Sequence, residues 1–231
     1  MIGVWIAICS VIVLFALYNV QCWFPHKARA KESKKRILCI GDSITFGAGV
    51  IYTRWKDAYP RILGRRLGGS VQVLNYGVSG TTASEKTDHP YPPDFRAAAG
   101  KTAPDVCVFI LGTNDSKPHN WNEERYQEAV LAWVREMKAY TSRPKILLLV
   151  PPAAFSVNGQ PVAFAIQDEV VRDRIRPILQ RIAAEEHVAL LDLYEATRDH
   201  PEWFSDGVHP NAKGNDAIAA LVEPNIRQMI E

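Results

Sequence analysis

Residues 36–49 read RILCIGDSITFGAG: a five-residue apolar run of strand length, a Gly, then Asp42, Ser43 and a segment able to begin a helix. Such a run, nearly continuous in apolar and β-branched residues, is what a strand buried on both faces requires. Four more follow at 71–75 (VQVLN), 105–111 (DVCVFIL), 145–150 (KILLLV) and 188–193 (VALLDL). Stretches of helical period fall between or after them, at about 55–67, 123–140, 168–186 and 212–229. Alternation of this kind predicts an α/β fold in which five parallel strands are covered on both faces by crossover helices, a three-layer α/β/α sandwich. Two long stretches without a regular period, 81–104 and 151–167, follow strand ends. Ligands bind at that edge of open α/β sheets, so both are candidate substrate loops.

The chain has 231 residues, 47% hydrophobic and 23% charged, a size and balance that suit one globular domain over residues 36–231 and disfavour disorder or a polytopic membrane protein. Its formal charge of +2 is unevenly placed. Lys27, Arg29, Lys31, Lys34, Lys35 and Arg36 lie in the first 36 residues against the single acid Glu32, leaving the remainder mildly acidic. A body of that sign is a poor match for phosphate backbones, which excludes nucleic acid as the expected partner. The four cysteines make no disulfide framework in a chain this long; Cys39 and Cys107 fall inside strand runs as buried hydrophobes. No Cys/His spacing suggests a metal, and neither metal nor organic cofactor is expected.

Residues 2–24 contain no charged side chain, and the apolar stretch approaches the roughly 20 residues that cross a bilayer. Residues 1–24 therefore read as a hydrophobic anchor or a signal segment, and the missing N-terminal Lys or Arg favours the anchor. The polar, basic residues 25–35 read as a tether. The expected localisation is at a membrane through an uncleaved segment, or exported with it removed. The basic flank after the apolar run favours a cytoplasmic body, in tension with the substrate reached below.

Ser43, after a Gly at the carboxyl end of a buried strand, is well placed for a nucleophile; the same residues also read as a turn with a helix-capping Ser. A serine hydroxyl needs a base, usually a His oriented by a carboxylate. Of six His, only His209 has an acid in a compact motif, Asp206-Gly207-Val208-His209-Pro210, just ahead of the last helical stretch. That motif equally suits an Asx-type turn leading into a helix. Attack on an ester also needs donors for the oxyanion. Asn114, in Leu111-Gly112-Thr113-Asn114-Asp115, offers an amide after the third strand; Gly80, in Asn75-Tyr76-Gly77-Val78-Ser79-Gly80, an unobstructed N–H after the second; Ser43's own N–H is a third.

With these blocks in this order, the chain resembles the SGNH hydrolases, the GDSL esterase/lipase family, named for a Ser, a Gly, an Asn and a His. The resemblance covers about residues 36–231 and implies a flavodoxin-like sandwich. It makes Ser43 the nucleophile, His209 the base and then acid, Asp206 the residue orienting it, and Ser43, Gly80 and Asn114 the oxyanion hole, with Gly80 preferred over Gly77. More narrowly, 75–81 (NYGVSGT), 111–121 (LGTNDSKPHNW), Pro151-Pro152 and 203–214 (WFSDGVHPNAKG) are similar to bacterial sialate O-acetylesterase-like and carbohydrate acetylesterase members. That implies hydrolysis of short acyl esters on a small molecule or glycan, with Asp42, Asp115, His119 and Trp121 as candidate substrate contacts. A lysophospholipase or acyl thioesterase is the rival enzyme. A catalytically silent, anchored carbohydrate-binding protein is the rival of another class.

Overall fold

The backbone groups of a strand buried on both faces must be paired on both sides, and the apolar runs meet that demand by pairing with one another. In the computed structural model of the chain, which describes residues 2–31 and 34–231 and side chains from Cys9 onward, they form one parallel sheet in the order β2-β1-β3-β4-β5. The strands are β1 (Lys35–Gly41), β2 (Val71–Gly77), β3 (Val106–Ile110), β4 (Lys145–Val150) and β5 (Ala189–Asp192). Successive residues point to opposite faces, so Leu38 and Ile40 join one core while Ile37 and Cys39 join the other. The first core is closed by α6 (Glu123–Lys138), through Tyr126, Val130, Trp133 and Val134, and by α8 (Arg176–Glu185), through Ile178, Leu179 and Ile182. The second is closed by α4 (Tyr59–Leu67) and α10 (Ala212–Ile230), through Ile62, Leu63, Ile218, Val222 and Ile226. This is the expected three-layer sandwich. Burial in it pushes the Cys39 thiol up to about 12, so it is an inert core residue.

The helices depart from their expected limits where proline intervenes. The stretch at 55–67 divides into α3 (Arg54–Asp57) and α4, with Ala58 extended between them (ψ 141°), because the ring of Pro60 would collide with the carbonyl of Lys56 in a continuous helix. The stretch at 168–186 is α7 (Asp168–Val170), a π-helical segment (Val171–Ile175) and α8; Pro177, in the first turn of α8, can supply no N–H to the turn before it. The expected loops also hold structure. Residues 81–104 contain α5 (Pro93–Gly100), opened by a proline in its first turn and continued by an alanine run. Residues 151–167 contain a bridge between Val157 and Gln160 around Asn158-Gly159, both with positive φ, the two-residue hairpin that an Asn-Gly pair favours. Two further short helices, α2 (Ser43–Phe46) and α9 (Leu193–Thr197), directly follow β1 and β5.

At the amino end, α1 (Ile2–Trp23) meets the body through its last turns. The Tyr18 hydroxyl donates to Tyr52 O (2.8 Å), and the rings of Tyr18 and Trp23 pack edge-on against Trp55 and Tyr52. Val11 to Phe15, Leu17 and Val20 are exposed. Among the described residues no helix is long and apolar enough to cross a membrane. The anchor expected over 1–24 lies partly outside the described residues, which omit Met1 and the side chains of 2–8; Glu32 and Ser33 of the tether are outside them too. The rest of the tether runs beside the edge strand β2. Gln72 accepts from Lys31 N–H (2.7 Å) and donates to Arg29 O (2.8 Å), and Tyr76 OH donates to Ala28 O (3.2 Å).

Candidate active site

In a sheet of this order the chain leaves β1 toward β2 on one side and reaches β3 on the other, so a crevice opens at the carboxyl ends of β1 and β3. Ser43 sits there, as the first residue of α2 directly after β1. Asp42 caps the helix, its Oδ1 accepting from Ile44 N–H at 2.9 Å. The Ser43 N–H, at the first helical position, is one of the donors that a helix leaves without an internal partner.

His209 arrives from the far end of the chain, in the turn that feeds α10. Its Nε2 lies 3.0 Å from Ser43 Oγ and its Nδ1 2.7 Å from Asp206 Oδ2. A carboxylate only accepts, so Nδ1 carries the proton and Nε2 is left to accept from the serine hydroxyl. Asp206 Oδ1 accepts from the N–H groups of Val208 (2.9 Å) and His209 (2.7 Å). The motif is thus an Asx turn and a carboxylate–imidazole pair at once. Burial alone would raise the Asp206 pKa, but the hydrogen bonds from the His209 ring and from these two N–H groups overcome it and hold the carboxyl at about 2.

Neighbouring loops fix the turn. Gly207 adopts φ 83°, and a Cβ there would lie 2.1 Å from Phe155 O, so only glycine fits. Phe155 N–H donates to Gly207 O (2.8 Å). Asn215, fully buried in α10, donates to Pro210 O (2.6 Å) and accepts from Tyr59 N–H (2.8 Å), tying the turn to α4.

Asn114, buried after β3, gives one amide hydrogen to Thr81 O (3.1 Å); its second has no partner among the described residues. Asn120 Nδ2 in turn donates to Asn114 O (3.0 Å) and to Asp88 Oδ1 (2.7 Å). The two glycines of the second block differ sharply. Gly77 donates to Asn75 Oδ1 (2.9 Å), and a Cβ on it would lie 2.2 Å from Phe46 N; it is where β2 presses on the backbone of α2. Gly80 N–H has no hydrogen-bond partner among the described residues.

The other candidates make structural contacts. Asp42 and Asp115 are buried, and neither turns a carboxylate to solvent. Asp115 accepts from Ala83 N–H (2.9 Å) and Ser84 N–H (3.0 Å), tying the β3 loop to the β2 loop. Burial raises both carboxyls to about 6, against the pull of these N–H bonds and that of Ile44. His119 is exposed and pairs with Asp88 (3.0 Å). Trp121 packs on Tyr126 and the first core. The sequence reading missed Phe164, whose ring centroid lies 5.0 Å from that of His209, the buttress Asn215, and the part Asn120 plays in holding the Asn114 loop. Nothing in the spacing around 164 marked it.

A general base on a hydroxyl, a hydrogen-bonded orienting carboxylate and amide donors from two further strand ends are the parts of acyl transfer through a serine ester. Comparison with known proteins agrees. The model of the GDSL-like Lipase/Acylhydrolase family matches residues 39–217. An acetylxylan esterase of Xylanibacter ruminicola is 34% identical over 91% of this chain, which spans 47% of that longer protein, about half its length. Among solved structures, a protein of Agrobacterium tumefaciens assigned as an arylesterase superposes with a TM-score of 0.71 at 25% identity, over 84% of this chain and 99% of that one. A carbohydrate acetylesterase family member from Sinorhizobium meliloti superposes with a TM-score of 0.68 at 24% identity, over 84% and 98%, a likeness of fold.

Proposed function

Since the chain belongs to the GDSL-like lipase/acylhydrolase family, we propose that it is a serine esterase that releases short acyl groups, acetate above all, from sugar hydroxyls. The observation that carries this reading is the unbroken hydrogen-bonded chain from Ser43 Oγ through the His209 ring to Asp206. Ser43 Oγ attacks the ester carbonyl carbon as His209 Nε2 takes its proton. The carbonyl oxygen, now negative, is held by the N–H groups of Ser43 and Gly80 and the amide of Asn114. Collapse expels the alcohol, which takes the proton back from His209. Water, deprotonated by the same nitrogen, then frees the acid and restores Ser43. The similarity to an acetylxylan esterase supports a sugar as the alcohol.

The exposed apolar side chains of α1 favour a second reading, a lysophospholipase or thioesterase working at a lipid surface; they also support attachment to a membrane through this helix. Acyl-length profiling with p-nitrophenyl esters, with acetate release from a panel of O-acetylated glycans, separates the two. The sugar esterase has its optimum at two carbons and releases acetate; an optimum at eight or more would select the lipid reading. Failure of a fluorophosphonate to label Ser43 would reject both.

A further inference from the structure

The stretch after β4 folds back over the turn that carries His209. Besides the Phe155–Gly207 bond, Ala154, Ile166 and Val208 form a small buried cluster with Val162 and Ala163 packed against it, so the two loops share one apolar seam. At the crest of this loop, Phe164 and Ala165 both have left-handed backbones, φ 60° and 56°. A bulky side chain rarely adopts that region, and strain of this kind persists where the surrounding structure imposes it. What the strained turn achieves is the placement of one ring. Phe164 is 57% exposed, yet it stands edge-on to His209, with 5.0 Å between centroids and 65° between planes. Its remaining surface faces solvent beside the base.

Which part of an ester would meet that ring follows from the proton path. His209 Nε2 returns its proton to the departing alcohol oxygen, so the alcohol is within hydrogen-bond reach of the imidazole when the bond breaks. The oxyanion donors come instead from the loops after β1, β2 and β3. A ring resting on His209 from the loop after β4 therefore borders the alcohol, not the carbonyl oxygen. We propose that Phe164 forms the wall of a leaving-group subsite that takes the apolar C–H face of a pyranose. This rests on the esterase reading above and extends it to the substrate's alcohol half. A flat, half-exposed aromatic face suits a sugar ring, whose axial C–H groups are apolar while its hydroxyls remain in water.

The test compares the wild type, Phe164→Ala and Phe164→Trp on two esters with the same acyl group, mono-O-acetylated methyl β-D-xylopyranoside and ethyl acetate. A parallel measurement follows saturation transfer from protein to unesterified methyl β-D-xylopyranoside in Ser43→Ala and Ser43→Ala/Phe164→Ala backgrounds. Thermal melting confirms that each variant is folded. Phe164→Ala is expected to lower kcat/KM on the xyloside ester about tenfold more than on ethyl acetate, the difference lying mainly in KM. Phe164→Trp should keep wild-type selectivity, and saturation of the sugar's C–H protons should require the aromatic ring. Equal losses on both esters, or unchanged kinetics and sugar contact in Phe164→Ala, would each overturn the subsite while leaving the esterase reading intact. Ring-dependent sugar contact in a chain that hydrolyses no ester would keep a sugar contact at Phe164 but overturn the esterase reading and, with it, the leaving-group role.

Discussion

The serine hydroxyl and the imidazole are separated by 166 residues of chain yet lie 3.0 Å apart, and the strongest expectations concern single atoms at that contact. Ser43→Ala removes the attacking oxygen and should cut kcat on p-nitrophenyl acetate by roughly 10³-fold or more, with the melting temperature little changed. Asn114→Ala should lower kcat by about 10²–10³-fold, and steady-state kinetics should find KM less affected, because the amide serves the charge that develops after attack. The carboxyls follow opposite pH rules. Asp206, depressed to about 2, contributes stability that is complete above its unfolded value of 3.8 and is lost as pH falls through 2. Asp42 and Asp115, raised to about 6, contribute in the other sense: their share is complete below 3.8 and is lost as pH rises through 6. Asp42→Asn should therefore raise the melting temperature, relative to wild type, more at pH 7 than at pH 4.5; an equal difference at both would refute the linkage. The Asp206–His209 pairing was legible because its motif, Asp206-Gly207-Val208-His209, is local. The buttressing by Asn120 and Asn215 was not, because it runs to partners remote in the chain, Asp88 for Asn120 and Tyr59 for Asn215.

At the scale of elements, close approaches between backbones set what the sequence can tolerate. β2 meets α2 at Gly77, where a Cβ would lie 2.2 Å from Phe46 N and 2.6 Å from Thr45 C. Backbone atoms cannot swing aside, so Gly77→Ala should displace the short helix that carries Ser43, and both activity and stability should fall. Gly64, inside α4, is the contrasting case: its nearest neighbour would be Val73 Cγ2 at 3.5 Å, an ordinary contact. Gly64→Ala should stabilise the protein by about 0.5–1 kcal/mol in denaturant unfolding, since alanine loses less backbone entropy in a helix. Strands were legible to within a residue or two because burial on both faces forces continuous apolar runs. Helix limits were less so. The break at Ala58 and the π-helical segment before Pro177 trace to prolines already visible in the sequence, whereas the periodicity of side chains passes over them. α5 and the Asn158-Gly159 hairpin also carried local signals, within stretches whose irregular apolar pattern hid them.

Across the whole molecule, one sheet edge collects the chemistry. The order β2-β1-β3-β4-β5 brings the exits of β1, β2 and β3 side by side, and the turn ahead of α10 closes over them. At the opposite end of the chain, among the described residues, α1 meets the body through its last turns, at Tyr18, Cys22 and Trp23. Removing residues 2–17 keeps those contacts; on the proposed attachment through this helix it should shift the protein from the membrane to the supernatant fraction while leaving p-nitrophenyl acetate turnover unchanged, as fractionation and assay would report. The sequence by itself determined the strand and helix alternation, the sandwich, and which residue types could serve as nucleophile, base, orienting acid and oxyanion donors, because burial, helix capping and tight turns impose their residue preferences locally. Only the tertiary structure decided that Ser43, His209 and Asp206 meet, that Gly77 packs while the Gly80 N–H has no partner among the described residues, that Asp42 and Asp115 turn inward, and that Phe164 stands against His209. Those outcomes depend on distances between segments remote in the chain, which side-chain periodicity does not encode.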